Sequence, residues 1–196
     1  MSSDDGACGK LIVISGPSGA GKPSICNALL KQLPDAVWSV SVTTRSMRPG
    51  EQLKGSYEFV TREEFERRMV AGEFLESAEY VGERYGTPGK PVVEALGQGQ
   101  IVVMEIDVQG GMQIRQSMPD ALLIFIKPPS EEVLLTRLRG RGRDDEQAIQ
   151  CRYAEARSEI ENAESSRAYD AFVINDDLET AIEEICDIIR RRGNIG

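Results

Sequence analysis

The heptapeptide Gly16-Pro17-Ser18-Gly19-Ala20-Gly21-Lys22 constrains this chain more than any other segment. It matches the pattern G-x-x-x-x-G-K, follows an apolar β-rich run at residues 11–15 and precedes an apolar-periodic stretch at residues 22–32. Between a strand and a helix, such glycines let backbone N–H groups turn inward around a phosphate. The helix N-terminus adds partial positive charge, and the lysine reaches the β- and γ-phosphates. The residue after the lysine is ordinarily Ser or Thr, whose hydroxyl binds Mg²⁺, but here it is Pro23. Proline supplies neither hydroxyl nor N–H and disfavours a helical conformation at Lys22, although in a first helical turn the missing N–H is an orphan in any case. Ser24, one residue later, is the nearest substitute for the missing hydroxyl or N–H.

The rest of the chain supplies a sheet for that loop to stand on. Apolar runs at residues 101–106, 121–126 and 171–175 join the run at 11–15, and they alternate with helical patterns at 22–32, 91–96, 108–117, 130–138, 145–164 and 178–192. Buried strands alternating with helices predict an α/β fold with a parallel sheet. Between residues 39 and 86 the rhythm changes: short alternating pieces at 39–43, 57–60 and 74–80 surround one amphipathic helix at 62–71. That pattern predicts a small mixed or antiparallel β insertion at the edge of the sheet.

Composition narrows the chemistry. The 196 residues contain no histidine, which removes imidazole-based triads, His acid/base catalysis and most catalytic zinc sites. With 32 acidic and 23 basic side chains the net charge is −9, which argues against a general nucleic-acid or membrane-surface binder. The four cysteines, Cys8, Cys26, Cys151 and Cys186, are too far apart for a CxxC pair and read as free thiols. The polar N-terminus lacks a signal-peptide pattern, so the expectation is a soluble cytoplasmic protein.

Two further sets of charges suit phosphate chemistry. Glu105 and Asp107 close the run at 101–106; as i and i+2 residues of a strand they project to one side, at the end where open α/β sheets bind ligands, and one of them suits Mg²⁺. Arg45 and Arg48 stand beside small hydroxyl residues, and Arg137, Arg139, Arg141 and Arg143 form a glycine-broken cluster with Arg152 on the following helix. Phosphoryl transfer needs guanidinium around its equatorial oxygens, and Gly140 and Gly142 give the second cluster the backbone freedom of a lid.

Taken in order, the runs at residues 16–22, 39–50 (SVSVTTRSMRPG), 55–60 (GSYEFV), 72–76 (GEFLE), 85–87 (YGT), 105–110 (EIDVQG), 128–130 (PPS), 137–142 and 173–177 (VINDD) resemble the guanylate kinase family, from about residue 9 to residue 192. The resemblance implies transfer of the γ-phosphoryl group of ATP to GMP with Mg²⁺, and dGMP as a weaker acceptor. It implies a core (about 9–38, 87–129 and 167–192), a GMP-binding insertion (about 39–86) and a helical lid (about 130–157), working as a monomer or homodimer in purine nucleotide metabolism. Carried over, Arg45, Arg48, Tyr57 and Tyr85 would hold the GMP phosphate, and Ser41 and Thr87 would meet the guanine O6 edge. Glu76 and Asp107 would accept from the guanine N1–H and 2-amino group, donors that adenine lacks. Arg137, Arg141 and Arg152 match lid arginines around the transferred group, Lys22 with the loop residues through Pro23 and Ser24 would hold ATP, Asn175 would lie near adenine, and Glu105 resembles the metal-side acid. Arg143 stands where the lid motif commonly has Thr. The competing expectation is a kinase-like module that has lost catalysis and holds a partner protein, for which Pro23 is the argument.

Overall fold

The run at residues 11–14, leucine followed by three β-branched residues and leading into a glycine loop, is the heart of the first strand, and the sheet is assembled around it. The computed structural model describes residues 9–48, 55–80, 82–140 and 145–192. In chain order its elements are β1 (Lys10–Ser15), α1 (Lys22–Gln32), β2 (Ala36–Trp38), β3 (Ser41–Thr43), β4 (Tyr57–Phe59), α2 (Arg62–Val70), β5 (Phe74–Tyr80) and β6 (Glu83–Pro88). They continue with α3 (Gly89–Gly97), β7 (Ile101–Glu105), α4 (Val108–Ser117), β8 (Leu122–Lys127), α5 (Glu131–Arg139), α6 (Glu146–Ser166), β9 (Ala171–Ile174) and α7 (Leu178–Arg192).

The main sheet is parallel throughout, in the order β2-β7-β1-β8-β9, so the central strand β1 places its C-terminal end beside those of β7 and β8. Side chains alternate between its two faces. Ile12, Ile14, Val103, Ile124 and Val173 pack under α1 and α7, while Leu11, Val13, Met104, Leu123 and Phe125 pack against α3, α4 and the end of α6. This is the three-layer α/β core expected from the alternating runs. Helices α2, α4, α5 and α6 have polar N-caps: Thr61, Asp107, Ser130 and Asp145 each accept from a backbone N–H one turn on.

A second, mixed sheet runs β4-β3-β6-β5, with β3 and β4 parallel and the other pairs antiparallel. The stacked rings of Phe65 and Phe74, 4.7 Å apart, lie under it. It is tied to the main domain through α4: the Gln113 amide donates to Ser77 O at 2.9 Å and accepts from Ser77 N at 3.0 Å. Helices α5 and α6 share a small core of their own, formed by Leu134, Leu138, Ile149 and Ala156. Among the described residues, no helix is long and apolar enough to cross a membrane, and Cys26, Cys151 and Cys186 are free thiols.

Candidate active site

The glycine loop leaves β1 at Gly16 and enters α1 at Lys22. Gly16, Gly19 and Gly21 adopt φ angles of 149°, 92° and 90°, a region that L side chains rarely enter. At Gly16 the restriction is double, because a Cβ there would lie 2.5 Å from Ile126 O. The Lys22 ammonium folds back over the loop, donating to Gly16 O at 2.5 Å and to Pro17 O at 3.2 Å. Gly21 is the N-cap of α1, so Pro23 falls in the first turn, and the helix starts normally with Ile25 N donating to Gly21 O. Pro23 and Ser24 are both exposed. The proline is therefore accommodated by the fold, but it adds no N–H to the backbone donors of the loop.

Asn175, the residue expected near adenine, supports the glycine loop. It is buried just beyond β9, and its Nδ2 donates to Ala20 O at 2.7 Å. Arg137 of α5 donates Nη2 to Asn175 O at 2.9 Å, while its Nη1 is buried and has no hydrogen-bond partner among the described residues.

Across a cleft of about 590 Å³ the loop faces the second sheet, and the lining includes Lys22, Pro23, Ser41, Arg45, Arg48, Tyr57, Glu76, Tyr85, Glu105 and Asp107. The far wall is a buried polar chain. Thr87 Oγ1 donates to Glu76 Oε1 at 2.6 Å, and the Ser41 and Thr87 hydroxyls are 3.3 Å apart. Glu76 is 4% exposed. Burial pushes its carboxyl up to about 7 and the nearby Asp107 adds to the rise, while Thr87 pulls the other way. Gly110 makes room for this group: a Cβ there would lie 2.6 Å from Glu76 Oε2.

Arg45 is also buried, its guanidinium carbon 5.0 Å from the Tyr57 ring centre and 5.2 Å from that of Phe59, and it donates to Ser46 O. Tyr57 and Tyr85 meet edge to face, 6.1 Å apart. Burial, then Glu105 and Tyr85, push the Tyr57 phenol up, which keeps it a neutral donor. Thr44, between Arg45 and β3, is held by Glu83 at 2.6 Å.

One sequence expectation is revised here. β7 ends at Glu105, and Asp107 is the N-cap of α4, its Oδ1 accepting from Gly110 N at 2.8 Å. The two carboxylates share the cleft without sharing a strand, because the chain turns into a helix immediately after Ile106. Arg152 lies on α6 and acts on the Tyr80 phenol. Arg141 and Arg143 lie outside the described residues.

One further side chain in the cleft was not among the candidates. Glu159 of α6 lines it, half-buried, and burial pushes its carboxyl up to about 7; Lys22 and the Ser18 N–H draw it down, and Asp107 and Glu155 push it up. A carboxylate on a helix with ordinary amphipathic spacing gives no sequence signal of this.

The parallel sheet, the glycine loop on its central strand and a facing polar pocket define an α/β protein of the phosphate-loop class. The guanylate kinase family model matches residues 8–192. A guanylate kinase of Trichormus variabilis is 49% identical over 177 residues, covering 90% of this chain and 87% of that protein. One of Rubrobacter xylanophilus is 47% identical over 183 residues, 93% and 94% of the two chains. The crystal structure of guanylate kinase from Anaplasma phagocytophilum superposes with a TM-score of 0.77 at 36% identity, covering 94% of this chain and 86% of that one. The chain belongs to the guanylate kinase family.

Proposed function

We propose that this chain is a guanylate kinase, transferring the γ-phosphoryl group of ATP to GMP to give ADP and GDP, with dGMP as a weaker acceptor. The observation that carries the reading is the single cleft that sets the phosphate loop opposite the buried Ser41–Thr87–Glu76 chain. A buried carboxylate backed by hydroxyls suits the donor edge of guanine, and adenine would leave it unpaired at a cost of about 1–3 kcal/mol. Arg45, Arg48, Tyr57 and Tyr85 then hold the monophosphate, and Asp107 keeps one carboxylate oxygen for the 2-amino group while the other caps α4.

On the ATP side, residues 16–24 hold the phosphates through backbone N–H groups and Lys22. The unpartnered Arg137 Nη1 suits an anion arriving at the loop. Arg137, Arg141 and Arg152 take the role of stabilising charge on the transferred group. The donor set also suits Mg²⁺, which needs only one or two carboxylates beside substrate phosphates: Glu105 ends its strand in the cleft beside Lys22, and Ser24 is exposed one residue past Pro23. Held by these residues, the ion would neutralise charge on the nucleotide phosphates. We assign the insertion to residues 39–86 and the lid to 130–157, in a cytoplasmic enzyme of purine nucleotide metabolism. No observation favours a binding module that has lost catalysis, since Pro23 fits the first turn of α1 and the loop lysine is in place.

A coupled assay with ATP, Mg²⁺ and each nucleoside monophosphate tests the reading. GMP is the expected acceptor by a wide margin, and equal rates with AMP and GMP would overturn it.

A further inference from the structure

Glu159 sits where α6 changes partners. On its N-terminal side Ile149 and Ala156 pack with α5, and on its C-terminal side Ile160 and Ala163 pack on the main sheet. Between these two anchorages the carboxylate lines the cleft beside the glycine loop. Its surroundings are the Ser18 N–H and Lys22, which attract it, and Asp107 and Glu155, which repel it. Tyr80 of β5 interacts with the side chain of the same Ser18. One loop residue is thus approached by the second sheet through its hydroxyl and by α6 through its N–H.

A loop N–H and a loop lysine are what a nucleotide phosphate uses. A carboxylate is the side-chain group that most resembles a phosphate in charge and acceptor geometry. The two cannot share the position, because like charges at contact distance inside a half-buried cleft repel strongly.

We propose that Glu159 is a built-in occupant of the ATP-phosphate subsite, resting against the Ser18 N–H under the attraction of Lys22 in the free enzyme and displaced when ATP arrives, so that it sets ATP affinity and couples ATP binding to the movement of α6. The inference rests on the reading of the loop as the ATP site. Arg152 lies seven residues earlier on α6, about two helical turns away and so on the same face. Withdrawing Glu159 therefore moves Arg152 with it, so that ATP binding is coupled to the position of this arginine. Glu159 is on this account a positioning residue, touching the loop rather than the reacting atoms.

The test is isothermal titration of wild type, Glu159→Gln and Glu159→Asp with a non-hydrolysable ATP analogue in Mg²⁺ and, separately, with GMP, each fold checked by thermal unfolding. Glu159→Gln keeps the shape and removes the charge; it should bind the analogue about tenfold more tightly, about 1.4 kcal/mol, with GMP affinity unchanged. A structural role alone would not produce a gain for one nucleotide only. Unchanged or weaker analogue binding in folded Glu159→Gln overturns the inference. Should that variant fail to fold, Glu159→Asp decides: its shorter reach withdraws the carboxylate from Ser18, so tighter analogue binding supports the inference and equal or weaker binding overturns it. Failure of the analogue to bind any of the three proteins would overturn the ATP-site reading as well.

Discussion

At Pro23 local chemistry and fold point in different directions. The helix tolerates a first-turn proline, as the intact Ile25 to Gly21 bond shows, yet the phosphate row loses one donor. A charge-assisted hydrogen bond is worth about 1.5–3 kcal/mol, so Pro23→Ser should tighten ATP binding by about one to two orders of magnitude and leave GMP binding nearly unchanged. Titration of both proteins with an ATP analogue and with GMP checks this, and an unchanged ATP affinity would mean that the exposed Ser24 already supplies the contact. Glu76 makes a second case at the same scale. Its carboxyl is raised to about 7 by burial, whereas the unfolded chain ionises near 4.3. Between those values the unfolded state releases its proton first, so stability falls as pH rises from about 4.5 to 7, by at most about 3 kcal/mol. Glu76→Gln should remove that loss in denaturant titrations. It should also weaken GMP binding about 10–100-fold at pH 8, where the wild-type carboxylate is ionised, with a smaller penalty near pH 6, while ATP affinity holds.

Among the elements, the pairing of loop and strand end is what makes the site stiff. Asn175 leaves β9 and holds Ala20 O, while Arg137 of α5 holds the Asn175 carbonyl, so a strand, the loop and a lid helix form one chain of contacts. Asn175→Ala strands a buried carbonyl and should cost about 1–3 kcal/mol of stability; the loosened loop should bind an ATP analogue about tenfold more weakly, read by titration beside thermal unfolding. That role was not legible beforehand. The sequence motif marks Asn175 as a site residue, but its bond to Ala20 spans most of the chain and no local spacing encodes it. The elements divide in the same way. Helices α1, α4 and α7 follow directly from three- and four-residue apolar spacing, with polar caps at α4 and α7, and β1, β7 and β8 from buried β-branched runs. Strand β2 is only Ala36–Trp38, and β6 carries Glu83, Arg84, Gly86 and Pro88; both are strands because neighbours offer them a ladder, a tertiary effect that overrides their weak propensity. The glycine loop was readable because its backbone geometry restricts residue type there, and Glu76 only through the family resemblance. Gly110 carries the same kind of information, a space kept for Glu76, but only the structure shows what the space is for.

For the whole molecule, charge and packing together argue for closure. Lys22 stands at the start of α1, Arg45 and Arg48 near the second sheet, and Arg137 and Arg152 on α5 and α6. A transferring phosphoryl group needs several of these cations at once and needs water excluded. The packing permits such movement at low cost. Leu134, Leu138, Ile149 and Ala156 form a core of their own between α5 and α6, and the Phe65–Phe74 stack lies apart from the clusters that hold the main sheet together, which reach α6 at Ile160 and Ala163 and β5 at Leu75. Gln113 tethers β5 to α4 through two bonds at its own position, which suits a pivot with movement at the far side of the second sheet. Helix α6 bridges lid and core, so lid closure must bend or rotate it between Ala156 and Ile160, next to Glu159. Small-angle scattering should therefore report a radius of gyration for the free enzyme above the roughly 16 Å of a fully compact chain of this length. That value should fall toward about 16 Å only when GMP and a non-hydrolysable ATP analogue are both saturating, with smaller steps for either alone. An unchanged profile with both ligands bound would mean that the arginines reach the phosphates without segment movement, and the closure account would fail.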